Sequence, residues 1–347
     1  MSDIQKGMVL LSILNPETAT YHAQFVHQIP CVDVALFEKA LELLAEKHEI
    51  LRTHFEMERY SKEVQFVDKS IEFKLEQIDL QELSAPQQEA AIEAYLARER
   101  QRPFDVRKAP IWRAAVCLLN DRSGVFIFQY HHAILDGWSI AALSAELFDF
   151  YVQLQENPNF RPAKLQARIK DAIIEEATEK KNQKTIQFWK EELADYNRLE
   201  IFEDVAVSDR LAITYEGSFL QQLKRRSMED GLSLKSIFFA CLVYALNELQ
   251  YADDLVVGMV SSNRPFVEDG DKLLGCFLNS LPIRVRLDQY ANNSWQEYAQ
   301  AVEQYLVDLK GKDRLTLYEI SRIAGEKNRQ ENPFFDVIFN YVDFYLF

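Results

Sequence analysis

The stretch from Val125 to Leu154 constrains the fold more than any other part of the chain. An apolar run over 125–130 leads directly into the polar segment HHAILDGWS at 131–139, and helical spacing continues from about Ile140. A strand that ends in a polar loop before a helix is typical of α/β folds, which expose reactive groups at this place. The stretch therefore predicts a strand–loop–helix unit with a candidate site in its loop.

The rest of the chain alternates helical and strand-like patterns in the same way. Asp33 precedes a run at helical spacing and is a residue type that caps helices. Helices are predicted at 33–47, 86–101, 140–154, 170–194, 218–230, 233–251 and 295–309, and strands at 52–57, 64–67, 71–78, 112–120, 125–130, 255–260, 279–287 and 335–345. A connector with two prolines follows the first half, so we divide the chain into an N-terminal lobe, 1–165, and a C-terminal lobe, 166–347.

Composition disfavours several classes of function. Lys and Arg number 39 and Asp and Glu 54, so the formal net charge is −15, which opposes generic binding to nucleic-acid phosphates. No apolar run reaches the length of a membrane span, and the N-terminal residues lack a signal-peptide cleavage site. We therefore expect a cytoplasmic protein whose partners include neither nucleic acid nor membrane.

Metal, disulfide and nucleotide chemistry also lack support in the sequence. The four cysteines lie far apart, form no CxxC pair and are interpreted as small buried residues: Cys31, Cys117, Cys241 and Cys276. The four histidines outside the 131–139 loop share no ligand pattern with it, so no metal site is predicted. GxSxG, GxGxxG and GxxxxGK motifs are absent.

The histidine pair is the one constellation with a clear chemical character. Histidine titrates near neutrality, so it can accept a proton and later return it. Adjacent residues of an extended chain point to opposite sides, so one of His131 and His132 can face a cavity while the other is buried. Gly137 suggests unusual backbone angles or the close approach of a ligand. Packed polar residues at a strand end would give the same pattern, and spacing alone leaves both interpretations open.

YHHAILDGWS at 130–139 resembles the HHxxxDG signature of condensation domains from nonribosomal peptide synthetases, which belong to the chloramphenicol-acetyltransferase-like acyltransferases. Further blocks of that family occur in its order: KHEILRTHF at 47–55, RPFDVRKAPIWR at 102–113, GMVSSNRP at 258–265, LLGCFLNSLPIRV at 273–285, DRLTLYEI at 313–320 and NPFFDVIFNYVDF at 332–344. The blocks span nearly the whole chain, so the resemblance is specific. Asn263 departs from it, because the family usually has glycine there.

The resemblance implies an α/β (α+β) fold of two chloramphenicol-acetyltransferase-like lobes, arranged as a V-shaped pseudo-dimer with the active-site channel between them. Relatives usually have a longer lead-in before the first block and continue well past the position of Phe347. We therefore expect a truncated C-terminal lobe that lacks closing strands and helices.

The resemblance also implies an activity and residue roles. Condensation domains join a donor acyl or peptidyl thioester to the α-amine of an acceptor aminoacyl thioester. His132 corresponds to the catalytic second histidine, His131 to its structural partner, and Asp136 to an anchoring aspartate. We expect Asp136 to form an ion pair with Arg284, and Gly137 to leave room for a pantetheine arm.

Further residues are candidates for lining the channel: Trp138, Asn279, Ser280 and Asn340. Asn279 and Ser280 are equally well explained as turn formers, and Trp138 as a packed side chain. Arg52 is interpreted as an ion-pair anchor. The basic run 224–226 fits a solvated helix face better than a docking surface for a carrier protein.

No cofactor of its own is implied, because the substrates arrive on 4'-phosphopantetheine arms. The implied partners are donor and acceptor peptidyl carrier proteins and neighbouring synthetase domains such as adenylation domains. Two other functions stay open: an epimerization domain of the same family, and a catalytically silent domain that docks carriers or recruits another enzyme. Trp138 and Ser139 after the motif resemble condensation members, and the intact histidines argue against a silent domain. The heterocyclizing branch is disfavoured, because it has aspartates in place of both histidines.

Overall fold

A computed structural model describes residues 1–30, 32–120, 122–199, 209–290, 293–326 and 332–343. The chain forms two compact units. The first contains residues 1–175, 264–278 and Asp343, and the second contains 176–263 and 279–342. Residues 264–278 belong with the first unit, because their hydrogen bonds run to the 131–139 loop.

The first unit has its helices and strands in alternation. Its helices within the described residues are α1 Asp3–Leu14, α2 Val34–Lys47, α3 Ala85–Arg100, α4 Gly137–Glu156 and α5 Ile169–Glu179, the last of which runs on into the second unit. Its strands there are β1 His22–Ile29, β2 Thr53–Glu56, β3 Val64–Val67, β4 Glu76–Asp79, β5 Trp112–Leu118 and β6 Gly124–His131. A 3₁₀ turn, Glu49–Arg52, connects α2 to β2.

A four-stranded sheet in the order β1–β6–β5–β4 organises this unit. β6 pairs antiparallel with β1 and β5, which confirms the predicted hairpin, and β4 is parallel to β5. All eight residues of β6 are buried, because both faces of the sheet are covered. Phe126 packs edge-on against Phe37 of α2, whereas Ile127 belongs to a cluster with Tyr95 of α3. The end of β6 therefore lies inside the unit.

The second unit contains, within the described residues, helices α6 Gln183–Glu192, α7 Ser218–Asp230, α8 Leu234–Gln250, α9 Trp295–Asp308 and α10 Leu317–Ala324 and strands β7 Asp254–Ser262, β8 Leu278–Arg286 and β9 Ile338–Phe339. The sheet order is β8–β7–β9, and β7 is parallel to β9. Its core joins Phe239 of α8 to Val257 and Ile283 of the sheet. No single described helix has the length and apolarity to cross a membrane, although α7 and α8, which meet at a 100° bend, meet these criteria together.

Most predicted elements are present, and the differences have local causes. The helix predicted over 170–194 is two helices, because Asn182 accepts from the Lys184 N–H and caps the start of α6. The strand predicted at 335–345 is reduced to the two residues of β9, and residues 344–345 lie outside the described part. Helices α1 and α10 and strand β1 were not predicted, and the strand predicted at 71–78 is present only as β4, Glu76–Asp79.

The cysteines behave in two ways. Cys117 and Cys276 are buried, as predicted, and burial raises the pKa of the Cys117 thiol to about 11. Cys241 is exposed on α8, so the prediction of a buried residue is wrong there. Cys31 lies outside the described residues.

Candidate functional site

The two histidines of the loop occupy different environments. His131 is the last residue of β6 and is 3% exposed, whereas His132 is half-buried, as the predicted alternation requires. Burial, together with the nearby His132 and His22, lowers the pKa of His131 to about 4. His131 is therefore neutral at physiological pH.

His132 has a fixed backbone and a ring nitrogen with no hydrogen-bond partner among the described residues. Its backbone N–H donates to the Tyr21 carbonyl over 2.8 Å, and the centroid of its ring lies 6.4 Å from that of the Tyr130 ring. The Nδ1 atom is buried and has no hydrogen-bond partner in the described parts of the chain. An imidazole held in this way is able to accept or donate a proton in a reaction.

Asp136 anchors the loop at the start of α4. Its side chain is 2% exposed and caps the helix, with Oδ1 accepting from the Ser139 N–H over 2.8 Å. Oδ2 accepts from the Phe277 N–H over 3.0 Å. The Arg264 guanidinium completes the set, with Nη2 3.3 Å from Oδ1. These contacts hold the carboxylate in place.

The predicted ion pair between Asp136 and Arg284 is wrong. Arg264 pairs with Asp136, whereas Arg284 lies on β8 of the second unit and binds Asp254 of neighbouring β7. The Arg284 Nε donates to Asp254 Oδ1 over 2.8 Å, and Nη1 donates to the Glu192 carbonyl over 3.0 Å. The hydrogen bond with Asp254 raises the pKa of Arg284. Arg284 therefore supports the second unit.

Arg264 binds the loop and the segment after it at once. Its Nη2 donates to Ser139 Oγ over 2.7 Å, and its Nη1 donates to the Leu273 carbonyl. The guanidinium carbon lies 4.8 Å from the ring centroid of Phe277 and 5.7 Å from that of Trp138. Burial lowers the pKa of Arg264, and Asp136 opposes this effect.

Gly275 fastens residues 273–277 to the same loop. Its carbonyl accepts from the Asp136 N–H over 3.0 Å and from Ser139 Oγ over 2.8 Å. Its own N–H donates to Ser139 Oγ over 3.0 Å. A Cβ at this position would lie 2.4 Å from the Phe277 ring, so only glycine fits without a shift. Sequence reasoning missed Arg264 and Gly275, although both lie in the family blocks quoted above.

Two further predicted residues belong to the same loop. Gly137 is the first residue of α4, so its backbone is helical and the predicted unusual backbone angles are absent. The other prediction for Gly137, that its small size lets a ligand approach closely, stays a prediction. Trp138 is 43% exposed, and its indole N–H donates to the Asp271 carbonyl over 3.3 Å. The structure thus brings His131, His132, Asp136, Gly137 and Trp138 together in the first unit.

The remaining candidates lie in the second unit. Asn279 is 3% exposed, and its amide donates to the carbonyls of Asp313 and Leu315 over 3.1 and 2.8 Å. These bonds join β8 to the turn before α10, so the residue has a structural use that neither prediction named. Ser280 is half-buried on β8, and Asn340 is exposed directly after β9.

Several other charged residues have structural contacts. Arg52 was predicted to form an ion pair, but it donates to backbone carbonyls, among them that of Ala45 at 2.8 Å near the end of α2. The basic run 224–226 is exposed on α7, where Arg226 pairs with Asp230 at 2.7 Å, as expected of a solvated helix face. Within the residues that the structure describes, no group of three or more His, Cys, Asp or Glu side chains is placed to hold a metal ion.

Proteins of known family match nearly the whole chain in sequence. A family model described as "Condensation domain" matches residues 1–345. A linear gramicidin synthase of Brevibacillus parabrevis is 29% identical over 331 residues, which cover 92% of this chain and 4% of that protein. The chain spans only a small part of the length of the first curated relatives it matches, between 4% and 13%.

Solved structures share the fold. The first condensation domain of the calcium-dependent antibiotic synthetase, in complex with a substrate analogue, has a TM-score of 0.78 at 17% identity, over 98% of this chain and 78% of that one. The X-domain from teicoplanin biosynthesis has a TM-score of 0.76 at 21% identity, over 96% and 75%. These likenesses establish a mixed α/β fold over nearly the whole chain.

Proposed function

Because the chain belongs to the condensation-domain family of nonribosomal peptide synthetases, we propose that it catalyses amide-bond formation. The donor is an acyl or peptidyl thioester, and the acceptor is the α-amine of an aminoacyl thioester. Both are carried on the phosphopantetheine arms of carrier proteins, and the chain itself needs no cofactor.

His132 carries the proposal. It is the half-buried member of the pair, its Nδ1 has no partner in the described residues, and it lies between two fixed points. On one side His131 is held inside β6, and on the other Asp136 is held by Ser139, Arg264 and Phe277. A ring positioned by such a rigid loop is suited to meet a reacting amine in one orientation.

The reaction balances without any further reactant. The acceptor nitrogen attacks the thioester carbon, a C–N bond forms, and a tetrahedral intermediate develops negative charge on oxygen. Collapse of this intermediate breaks the C–S bond, and the proton lost by the nitrogen ends on the departing thiol. His132 supports this sequence either by accepting the amine proton or by orienting the amine and stabilising the intermediate.

The partners and the cellular location follow from the same proposal. The donor and acceptor carriers and the neighbouring adenylation domains supply the loaded substrates, so the protein works in the cytoplasm. Neither nucleic acid nor membrane has a part in the chemistry.

A carrier-based assay tests the proposal. One carrier is loaded with an acyl group and a second with an amino acid, across a panel of both, and the amide is measured by mass spectrometry. We expect the parent to form amide and His132→Ala to lose about 10²- to 10⁴-fold in rate, the range typical of acid–base groups. His54→Ala, which changes a half-buried histidine of β2, is the matched control and should keep the parent rate.

Other outcomes select other functions. An α-proton that exchanges with solvent deuterium without amide formation identifies an epimerization domain. Carrier binding with neither reaction identifies a silent docking domain. If His132→Ala forms amide as fast as the parent, the assignment of His132 is wrong.

A further inference from the structure

A serine on the first helix lies against the buried histidine of the loop. Ser12 Oγ on α1 is 2.8 Å from His131 Nε2, although the two residues are 119 positions apart. Neither the histidine motif nor the other family blocks include this serine. The contact therefore connects the loop to a part of the chain with no role assigned so far.

The neighbours of His131 determine which ring nitrogen carries its proton. The Ala133 N–H donates to Nδ1 over 3.1 Å, so Nδ1 has a lone pair and the proton of the neutral ring is on Nε2. The Ser12 hydroxyl donates its own proton to the Met8 carbonyl over 2.9 Å. Its oxygen is therefore the acceptor for His131 Nε2–H, and both nitrogens of the buried ring are satisfied.

The same helix also holds the backbone of the loop. Gln5 is 3% exposed, and its amide nitrogen donates to the Ala133 carbonyl over 3.1 Å. Its amide oxygen accepts from the Ser2 N–H over 3.0 Å and so closes the N-terminal cap of α1. Gln5 and Ser12 are seven residues apart, close to two helical turns, which places them on one face of the helix. That face forms hydrogen bonds with His131 and Ala133, the two residues that flank His132.

We propose that Ser12 is a positioning residue for His132. Ser12 accepts from His131 Nε2–H and thereby holds the neutral ring in one tautomer and one orientation. Nδ1 of that ring is then free to accept from the Ala133 N–H. This hydrogen bond fixes the turn after His131 and, with it, the direction of the His132 ring. This inference rests on the proposed function of His132, and it extends the machinery of the loop to α1.

Two substitutions at Ser12 test the proposal in the carrier assay. Ser12→Ala removes the acceptor and should lower kcat at least about tenfold while KM changes less than about threefold, since a misplaced group costs rate rather than binding. Ser12→Thr keeps the hydroxyl and should recover kcat to within about threefold of the parent. Its added methyl has space, because a cavity of about 20 Å³ adjoins Ser12, His22 and His131.

A matched serine on another helix is the control. Ser144 on α4 is 1% exposed and donates to the Ile140 carbonyl over 2.9 Å, as Ser12 donates to Met8, but its hydroxyl has no histidine among its hydrogen-bond partners in the described residues. Ser144→Ala should therefore leave kcat within about twofold of the parent. If Ser144→Ala and Ser12→Ala lower kcat equally, general loss of helix packing explains the effect and the proposal is wrong.

Nitrogen-15 NMR of the imidazole rings gives a readout that needs no turnover. The parent should show His131 protonated at Nε2 and unprotonated at Nδ1, and Ser12→Ala should shift the Nε2–H signal and speed its exchange with solvent. A proton on Nδ1 in the parent, an unchanged Nε2–H signal, or an unchanged kcat in Ser12→Ala would each overturn the proposal. If the parent forms no amide, the proposed function fails, whereas the His131 and His132 signals still decide whether Ser12 holds the loop.

Discussion

Two buried arginine clusters, one in each unit, use the same chemistry in opposite ways. Around Arg264 the carboxylate is the more deeply buried partner, because Asp136 is 2% exposed and the Arg264 side chain 15%. Around Arg284 the guanidinium is 5% exposed, whereas Asp254 is 33% exposed. The first cluster surrounds an anion with N–H donors, and the second surrounds a cation with carbonyl acceptors.

The two clusters therefore stabilise different parts of the molecule. The anion of the first cluster caps α4 shortly after the histidine pair, so this cluster fixes the loop to which we assign the proposed chemistry. The cation of the second joins the end of α6 to β7 and β8, so that cluster governs the frame of a unit. We expect substitutions in the first to affect stability and amide formation, and those in the second to affect stability.

Loss of the Asp136 carboxylate should destabilise the protein most, and loss of the Asp254 carboxylate is its matched comparison. Asp136→Ala leaves Arg264 buried without its counter-ion and removes a helix cap, which should lower the free energy of unfolding by about 3–5 kcal/mol. Asp254→Ala should cost less, about 1.5–3 kcal/mol, because Arg284 keeps its carbonyl acceptors and Asp254 is partly solvated. Urea denaturation of each variant measures both values.

Equal losses in the two variants would contradict the distinction between the clusters. The amide assay adds a second criterion, at a temperature where both variants are folded. Asp136→Asn should slow amide formation, and Asp254→Asn should leave it near the parent rate. If Asp136→Asn forms amide as fast as the parent, the cluster around Arg264 has no role in amide formation.

Lowering the pH should lower the free energy of unfolding through protonation of His131. Its pKa is about 4 in the folded chain and about 6.5 when unfolded, so the unfolded state binds the proton first as the pH falls. The contribution of His131 to the free energy of unfolding is therefore fully present above pH 6.5. It is lost as the pH falls from 6.5 to 4, and the total loss is about 3 kcal/mol. The pH dependence of urea denaturation in the parent and in His131→Asn measures it.

A histidine outside the cluster provides the control. His54→Asn makes the same substitution at a half-buried residue of β2 and controls for the exchange of a histidine for asparagine elsewhere in the first unit. If the parent and His131→Asn lose stability in parallel over this range, His131 is not held neutral by burial.

Two glycines offer a matched pair of smaller changes. A Cβ would lie 2.4 Å from the Phe277 ring at Gly275 and 2.3 Å from the Phe335 ring at Gly258 of β7. Alanine at either position overpacks a buried ring and should cost about 1–3 kcal/mol. Only Gly275→Ala should also slow amide formation, because Gly275 binds the loop. Thermal unfolding and the amide assay separate the two effects, and an activity loss of equal size in Gly258→Ala would argue against a special role for the loop.

The smallest effects come from double-mutant cycles that test which arginine serves Asp136. Asp136→Asn with Arg264→Gln should show a coupling of about 0.5–3 kcal/mol, as expected for groups in contact. Asp136→Asn with Arg284→Gln should be additive within about 0.5 kcal/mol. Urea denaturation of the four proteins in each cycle gives the coupling. Coupling of Asp136 to Arg284 and none to Arg264 would instead support the ion pair that was predicted from the sequence.

Elements with a strong local signal could be predicted from the sequence. Asp33 accepts from the Leu36 N–H and starts α2, as predicted, and the helix predicted to begin at Ser233 does so, because Ser233 accepts from the Ser236 N–H. The hairpin of β5 and β6 follows from two apolar runs and a polar turn. Helix α1 was missed, although Ser2 and Gln5 form a capping box whose spacing is visible in the sequence.

The histidine motif could also be located, and its alternation predicted that one side chain of the pair is buried and the other is not. The partners of the motif could not. Ser12 and Gln5 lie 119 and 128 residues before their contacts, and Arg264 and Phe277 lie 128 and 141 residues after Asp136. Both arginine blocks were recognised, yet nothing in their spacing indicated which arginine approaches the aspartate.

Short-range order and long-range pairing have different physical origins here. Periodicity, caps and turns act between residues a few positions apart, so the chain specifies the strand β6, the helix α4 and the loop between them. A buried charge or imidazole takes its partner from whatever the packed core places beside it. The choice of Arg264 for Asp136 and of Ser12 for His131 therefore arises only once the sheet, α1 and residues 264–278 are packed together.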